Sequence, residues 1–358
     1  MAYRSCMARK YDEKRFPDTG LFFSLMFIAT LSFMSPAFAE GTYELKLPLG
    51  LRQDAVVIPE DNTLTQEKIA LGKLLFFDKR LSKKNSIACA TCHIPSVAFT
   101  DGQPVSTGID RLQGGRSAPT AINRLFSSAQ FWDGRAPSLE DQSIGPFVNP
   151  VEHGFRNHQE LVDKVKSIHG YAPLFEKAFG AAGISKETIG KAIASFQRTL
   201  LSGNSAFDRH NSAQDERALS ASAQRGLSIF RGKGLCFTCH SGPNFTDEKF
   251  HNLGVDWDTD HIDLGRYAVT KKPSDIGAFK TPTLREISRT APYMHNGRLA
   301  TLRQVIDFYD QGGIDNPHKD PLAQPLKLSE AEKKDLMEFL LSLDGEGWQV
   351  APPTDFPE

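Results

Sequence analysis

The chain has 358 residues, and its 42 Lys and Arg residues almost balance its 43 Asp and Glu residues, giving a formal net charge of −1 at pH 7. This balance gives no indication that nucleic acid or an anionic membrane surface is a partner. The length is sufficient for two domains with hydrophobic cores of their own.

A targeting segment is predicted at the start of the chain, over residues 1–39. Basic residues precede an apolar run at 21–34, and Ala37-Phe38-Ala39 places small residues where a signal peptidase reads them. Cleavage would leave a periplasmic chain that starts near Glu40, has no membrane contact and keeps four cysteines. The apolar run is short for a membrane span, and an uncleaved anchor is the alternative.

Two Cys-x-x-Cys-His motifs stand 147 residues apart: Cys89-Ala90-Thr91-Cys92-His93 and Cys236-Phe237-Thr238-Cys239-His240. In such a motif both thiols can add to the vinyl groups of a haem, while the histidine presents its imidazole to the iron. The sequence therefore predicts two covalently bound haem c groups. Zinc binding or redox thiols are the alternative. They are less favoured because neither thiol pair has a third and fourth metal ligand nearby.

Short segments recur around the two motifs. Phe-Thr-Asp follows each motif, at 99–101 and at 245–247, and Gly134-Arg135 recurs as Gly297-Arg298 at an offset of 163 residues. A duplicated module is the economical explanation.

The periodicity of apolar residues predicts an all-α fold with long loops. Helical spacing is present in three segments, 186–201, 301–309 and 329–343. Each has a hydroxyl residue suited to cap a helix at its start: Ser185 just before the first, and Thr301 and Ser329 as the first residues of the others. The alternation typical of strands is almost absent. We predict two cytochrome c-like domains, at residues 40–215 and 216–358.

The function of a haem depends on the group that faces its iron opposite the motif histidine. A second strong ligand gives an electron carrier, and an open face gives a catalyst. After residue 40 the only methionines are Met294 and Met337, and Met337 is most simply a core residue. Tyr309 follows Val305 and Ile306 on one helix face, so it is either a core residue or a phenolate ligand.

Three segments carry a resemblance to a known family: Phe76–Ser82, Phe131–Arg135 and Ala291–Gly297. With them, the chain resembles the bacterial di-haem cytochrome c peroxidases and the related MauG enzymes from about residue 71 to 343. The resemblance implies that the N-terminal domain holds the peroxide-binding haem and that the C-terminal domain holds an electron-transfer haem.

The resemblance also implies roles for residues between the motifs. Trp132 matches a tryptophan between the haems, and Gln142, Pro146 and Glu152 match the pocket where peroxide binds. Glu152 would carry the proton that peroxide cleavage requires. Conventional peroxidases have a second histidine ligand after the first motif, but no histidine occurs between His93 and His153. The first haem is therefore expected to be five-coordinate.

Tyr309 aligns with the second-haem ligand of the family, and a tyrosine at this position is the MauG arrangement. The resemblance also implies a calcium site formed by Ser117, Thr290 and Pro292, in which Ser117 replaces the usual asparagine. Met294 remains the alternative ligand.

The function implied is that of a periplasmic enzyme that uses hydrogen peroxide to oxidise a protein electron donor. In a MauG-like enzyme the donor is a dehydrogenase precursor, in which a tryptophan-derived cofactor is matured. In a conventional cytochrome c peroxidase the donor is a small c-type cytochrome or a copper protein. A di-haem electron carrier without catalytic turnover is the alternative from another class.

Overall fold

The computed structural model describes residues 41–358, which are mainly helical. The helices are α1 (Gln66–Phe77), α2 (Cys89–Cys92), α3 (Leu139–Ile144), α4 (His158–Lys166), α5 (Tyr171–Phe179), α6 (Lys186–Gln197), α7 (Ala206–Ser212), α8 (Ala221–Arg231), α9 (Tyr267–Thr270), α10 (Leu302–Asp310) and α11 (Glu330–Leu341). Two short antiparallel strands, β1 (Phe250–His251) and β2 (Phe279–Lys280), pair Phe250 with Lys280. The predicted signal peptide lies outside the described residues. Within them, no helix is both long and apolar enough to cross a membrane.

Side-chain caps start the three predicted helices α6, α10 and α11. The hydroxyls of Ser185, Thr301 and Ser329 accept hydrogen bonds from backbone N–H groups three residues later, which the first turn of a helix leaves without partners. The predicted end of α6 at residue 201 is wrong, because the helix ends at Gln197. The chain turns there, and the carbonyl of Leu200 accepts a hydrogen bond of 2.8 Å from the backbone of Asn123.

Two hydrophobic clusters lie behind the two motifs. In the first, α1 packs on α6, and in the second, α8 packs on α11. A glycine permits close approach in each pair: a Cβ on Gly72 would lie 1.9 Å from the carbonyl oxygen of Ala192, and a Cβ on Gly226 would lie 2.0 Å from that of Asp335. The backbones therefore meet where no larger residue fits.

The end of the chain returns to the first cluster. Trp348 is 3% exposed and belongs to the first cluster, although it follows α11 of the second. The backbone N–H of Gly170 donates a hydrogen bond of 2.6 Å to the carbonyl of Glu358. The domain boundary predicted near residue 215 falls in the connection between α7 and α8 and stays a prediction.

Candidate active site

One cavity joins the two Cys-x-x-Cys-His motifs. Its volume is about 730 Å³, and its lining includes Cys92 and His93 of the first motif and Cys236, Cys239 and His240 of the second. Ligand cavities in proteins usually measure roughly 300–1,000 Å³. Two groups bound at the motifs would therefore be neighbours.

The two motif histidines are oriented in the same way. The Nδ1 of His93 donates to the carbonyl of Phe99 at 2.9 Å, and the Nδ1 of His240 donates to that of Phe245 at 3.0 Å. A carbonyl only accepts hydrogen bonds, so Nδ1 carries the proton and Nε2 is left to bind a metal. Burial lowers the pKa of both histidines, which favours the neutral form that a metal ligand requires. Both sites fit a haem.

Cys239 has two further possible metal ligands nearby, contrary to the prediction that neither thiol pair has them. Atoms of Cys239, Asp247 and His251 lie within 4.8 Å of one another. However, the ring nitrogens of His251 contact the carboxylates of Asp320 and Asp247 at 2.5 and 3.1 Å. Contacts with Cys239, Asp320 and Asp247 raise the pKa of His251 to about 10. A protonated imidazole has no lone pair for zinc, so this group does not favour the zinc alternative.

The predicted peroxide-pocket residues Gln142, Pro146 and Glu152 all line the cavity. Helix α3 carries Gln142, whose Oε1 accepts a hydrogen bond of 3.3 Å from Gln197. Glu152 accepts a hydrogen bond of 2.6 Å from Asn149. Burial raises the pKa of the Glu152 carboxyl, because the charged form loses its hydration. A raised pKa favours the protonated form, which is the form that can donate a proton.

Trp132 also lines the cavity and is held from two sides. Its indole Nε1 donates a hydrogen bond of 2.9 Å to the carbonyl of Ser117. Its own carbonyl accepts one of 2.8 Å from the backbone of Lys280 in β2. The indole is therefore fixed relative to segments on either side of residue 215.

Tyr309 faces the cavity from α10, together with Val305 and Ile306, as the helix face predicted. Burial raises the pKa of its phenol. Met294 also lines the cavity, whereas Met337 packs against the second hydrophobic cluster, as expected of a core residue. Both candidate ligands of the second haem are thus within the cavity, and the choice of Tyr309 stays a prediction.

The three residues of the predicted calcium site, Ser117, Thr290 and Pro292, line the same cavity. The Ser117 hydroxyl donates to the carbonyl of Gln103 at 3.5 Å. Calcium binding stays a prediction.

Arg124, Lys280 and His295 also line the cavity, although none of them was predicted as a site residue. His295 lies in the Ala291–Gly297 segment that carries the resemblance, which was the available signal; no motif marks Arg124 or Lys280. His153, by contrast, belongs to the packing, since its Nδ1 donates to the carbonyl of Leu81 at 2.8 Å and its ring lies 4.5 Å from that of Phe147.

Comparisons with known proteins agree with this geometry. A family model described as di-haem cytochrome c peroxidase matches residues 66–218. The methylamine utilization protein MauG of Methylophilus methylotrophus is 42% identical over 308 residues, which cover 84% of this chain and 90% of that protein. The chain belongs to the di-haem cytochrome c peroxidase family. It is accordingly an oxidoreductase that acts on peroxide, and the family implies two haem groups.

Two further relatives span most of the chain. Cytochrome-c peroxidase IdrP1 of Pseudomonas sp. (strain SCT) is 36% identical over 318 residues, covering 80% of this chain and 83% of that protein. The crystal structure of a MauG-like protein associated with microbial copper homeostasis matches with a TM-score of 0.77 and 32% identity, covering 87% of this chain and 98% of that one. The family therefore includes relatives named for both enzyme types.

Proposed function

We propose that the protein is a periplasmic di-haem peroxidase of the MauG-like type, which uses hydrogen peroxide to oxidise a protein electron donor. The observation that carries the proposal is that one cavity is lined by a half-buried carboxyl, Glu152, and a half-buried tyrosine, Tyr309, together with the two motifs. Haem c attached at the two motifs would supply redox-active iron at His93 and His240.

Residues of the first pocket are suited to handle peroxide. Burial raises the pKa of Glu152 and so favours its protonated form, and the hydrogen bond from Asn149 fixes one carboxyl oxygen. Because Gln142 uses its Oε1 to accept from Gln197, its amide NH2 is the group that remains to donate to peroxide. Pro146 holds the turn between them, since its carbonyl accepts from the backbone of Asn149 at 3.2 Å.

An open face at the first haem is supported by the histidines of the cavity. In the described part of the chain, the lining contains His93, His240, His251 and His295. His251 is engaged by two carboxylates, and His295 stacks on Phe279 with the ring centroids 3.6 Å apart. His93 and His240 belong to the motifs and His251 is bonded to carboxylates, which supports an open first haem that would bind peroxide without prior reduction.

Tyr309 favours the MauG-like type, because a tyrosine ligand stabilises an oxidised iron. In that case the donor is a protein such as a dehydrogenase precursor whose own side chains are oxidised to a tryptophan-derived cofactor. A second candidate function is that of a conventional cytochrome c peroxidase with a small c-type cytochrome or copper protein as donor. The relative named cytochrome-c peroxidase IdrP1 favours it.

Electron paramagnetic resonance of the oxidised holoprotein tests the proposal. We expect one high-spin signal from the first haem and one low-spin signal from the second. Two low-spin signals without a high-spin signal would contradict the proposed open face at the first haem and favour an electron carrier without turnover. Peroxide consumption with reduced cytochrome c separates the enzymatic candidates, since fast turnover with this donor indicates the conventional peroxidase.

A further inference from the structure

The cavity contains positive charges that the proposed reaction does not use. In the part of the chain that the structure describes, four arginine and lysine side chains line it: Arg116, Arg124, Arg135 and Lys280. Arg116 and Arg135 both donate to the carboxylate of Asp133, and Arg116 also donates to Asp263. These two arginines therefore have anionic partners within the protein.

Arg124 lacks such a partner. Its side chain is only 10% exposed, and neither Nε nor Nη2 has a hydrogen-bond partner. The nearest carboxylate, that of Glu248, lies 3.9 Å from Nη2, which is beyond hydrogen-bonding distance. Leaving a buried guanidinium edge without a partner is costly, so this edge indicates a missing anion.

Lys280 depends on the same carboxylate. Its side chain is 4% exposed, and its Nζ lies 3.4 Å from Oε2 of Glu248. Glu248 also accepts hydrogen bonds from the hydroxyl of Ser127 and from the backbone of Ser128. The Glu248 carboxylate is thus the shared anionic neighbour of Arg124 and Lys280 and also accepts two hydrogen bonds from uncharged donors. With both cations protonated, the cluster of Arg124, Lys280 and Glu248 carries a net charge of +1; Asp247 also interacts with Lys280, but its carboxylate contacts His251 at 3.1 Å.

The cluster lies beside the second motif. Asp247, the neighbour of Glu248, interacts electrostatically with both Lys280 and His240. Pro282, two residues after Lys280, has its backbone within reach of the His240 ring. The missing anion therefore belongs next to whatever is bound at His240.

We propose that Arg124 and Lys280 bind a propionate carboxylate of the haem attached to the second motif. A guanidinium edge presents two parallel N–H groups that match the two oxygens of a carboxylate. The haem brings carboxylates into this cavity as part of its own structure, so the anion arrives when the haem does. This inference rests on the proposed haem at Cys236 and Cys239.

The test compares haem-loaded variants of two buried arginines. Arg124→Leu removes the proposed contact. Arg124→Lys keeps the positive charge but lacks the two parallel N–H groups of the guanidinium. Arg198→Leu is the matched control, because Arg198 is 4% exposed, pairs with Glu140 and is outside the cavity lining. The measurements are the propionate bending bands in resonance Raman spectra and the midpoint potential of each haem by spectroelectrochemical titration.

We expect Arg124→Leu to move a propionate band and to shift the second haem to a lower potential, because loss of a nearby positive charge favours ferric iron. Arg124→Lys should show a smaller shift and Arg198→Leu none. Lys280→Met should shift the second haem in the same direction, which keeps the test valid if Arg124→Leu does not fold. Unchanged bands and potentials in folded variants, or a shift confined to the first haem, would overturn the inference.

The pyridine haemochrome content of the unmodified holoprotein separates this inference from the proposed function. A content of one haem per chain contradicts the di-haem function. Two haems per chain with unchanged Raman bands in the Arg124 and Lys280 variants contradict only the propionate site.

Discussion

The two motif sites share their proximal side and differ on the opposite side of the cavity. In both, a histidine donates through Nδ1 to a phenylalanine carbonyl five or six residues later, at 2.9 Å for His93 and 3.0 Å for His240. Gln142, Glu152 and Tyr309 all line the cavity between the motifs; the family resemblance assigns the first two to the site at His93 and Tyr309, on α10, to the site at His240. The local motif therefore sets how a haem is held, and distant segments set what it does.

This difference depends on burial as much as on residue type. The Glu152 carboxyl and the Tyr309 phenol both have raised pKa values because they are buried. In both cases burial favours the protonated form, and a bound metal ion would favour loss of the phenol proton. The proposed roles follow this difference in chemistry, with proton transfer at the carboxyl and metal ligation at the phenol.

The largest effect is expected from Glu152→Gln. Loss of the titrating carboxyl should reduce kcat for peroxide consumption by about 10²–10⁴-fold, the usual contribution of a general acid–base residue. Haem content and the spectrum of the second haem should stay unchanged. Glu160→Gln, at a half-buried position in the first turn of α4 and outside the cavity lining, is the control and should keep full turnover. If turnover of Glu152→Gln stays within twofold of that of the unmodified protein, Glu152 is not the proton donor and the two sites do not differ in the way proposed.

Tyr309→Phe should alter the absorption spectrum of the second haem alone. Peroxide turnover should fall by roughly 10–100-fold, the range typical of changes around a metal ligand. Tyr293→Phe is the matched control, because Tyr293 lines the same cavity but its hydroxyl donates to the carbonyl of Ile287 at 2.9 Å. If the two variants have identical haem spectra, Tyr309 is not a ligand and Met294 becomes the candidate.

Gly72→Ala and Gly226→Ala should destabilise the two clusters to a similar extent. In each variant the added Cβ would lie about 2 Å from a backbone carbonyl, so the paired helices must separate. Overpacking of this kind costs about 1–3 kcal/mol in the free energy of unfolding. Thermal unfolding of the haem-loaded protein, followed at each Soret band, measures this loss of stability. A change of less than 0.5 kcal/mol in either variant, roughly the size of a neutral surface substitution, would show that the helix pair is not rigid.

The smallest effect is expected from Asn149→Ala. The amide of Asn149 donates to Oε1 of Glu152 and so lowers the pKa of this carboxyl, against the rise due to burial. Removing the donor destabilises the carboxylate and raises the pKa further. The limb of the pH–activity profile that reports Glu152 should therefore move up by about one pH unit. A shift toward lower pH would contradict this assignment.

Features that depend on neighbouring residues were predicted from the sequence alone. The two motifs, the caps at Ser185, Thr301 and Ser329, and the inward face of Tyr309 all follow from short-range spacing. The end of α6 was not predicted, because it depends on a backbone contact with Asn123, some 75 residues earlier in the chain.

The peroxide pocket and the cation cluster depend on long-range contacts. Glu152 reads as a surface carboxylate in the sequence, and only the family resemblance placed it in the pocket. Arg124 and Glu248 are separated by more than a hundred residues, and no motif connects them. The return of Trp348 to the first cluster also has no sequence signal, since the residue lies beyond the last periodic helix.

The backbone hydrogen bonds of Trp132 have a consequence for electron tunnelling. The indole is bonded to Ser117, and the carbonyl of the same residue is bonded to Lys280 in β2. The residue is thus fixed through its ring nitrogen and through its main chain, in both cases by main-chain partners that side-chain substitutions leave in place. If charge passes between the haems through Trp132, as the family resemblance implies, substitutions around either iron would alter the driving force of the transfer while the position of the indole stays constant.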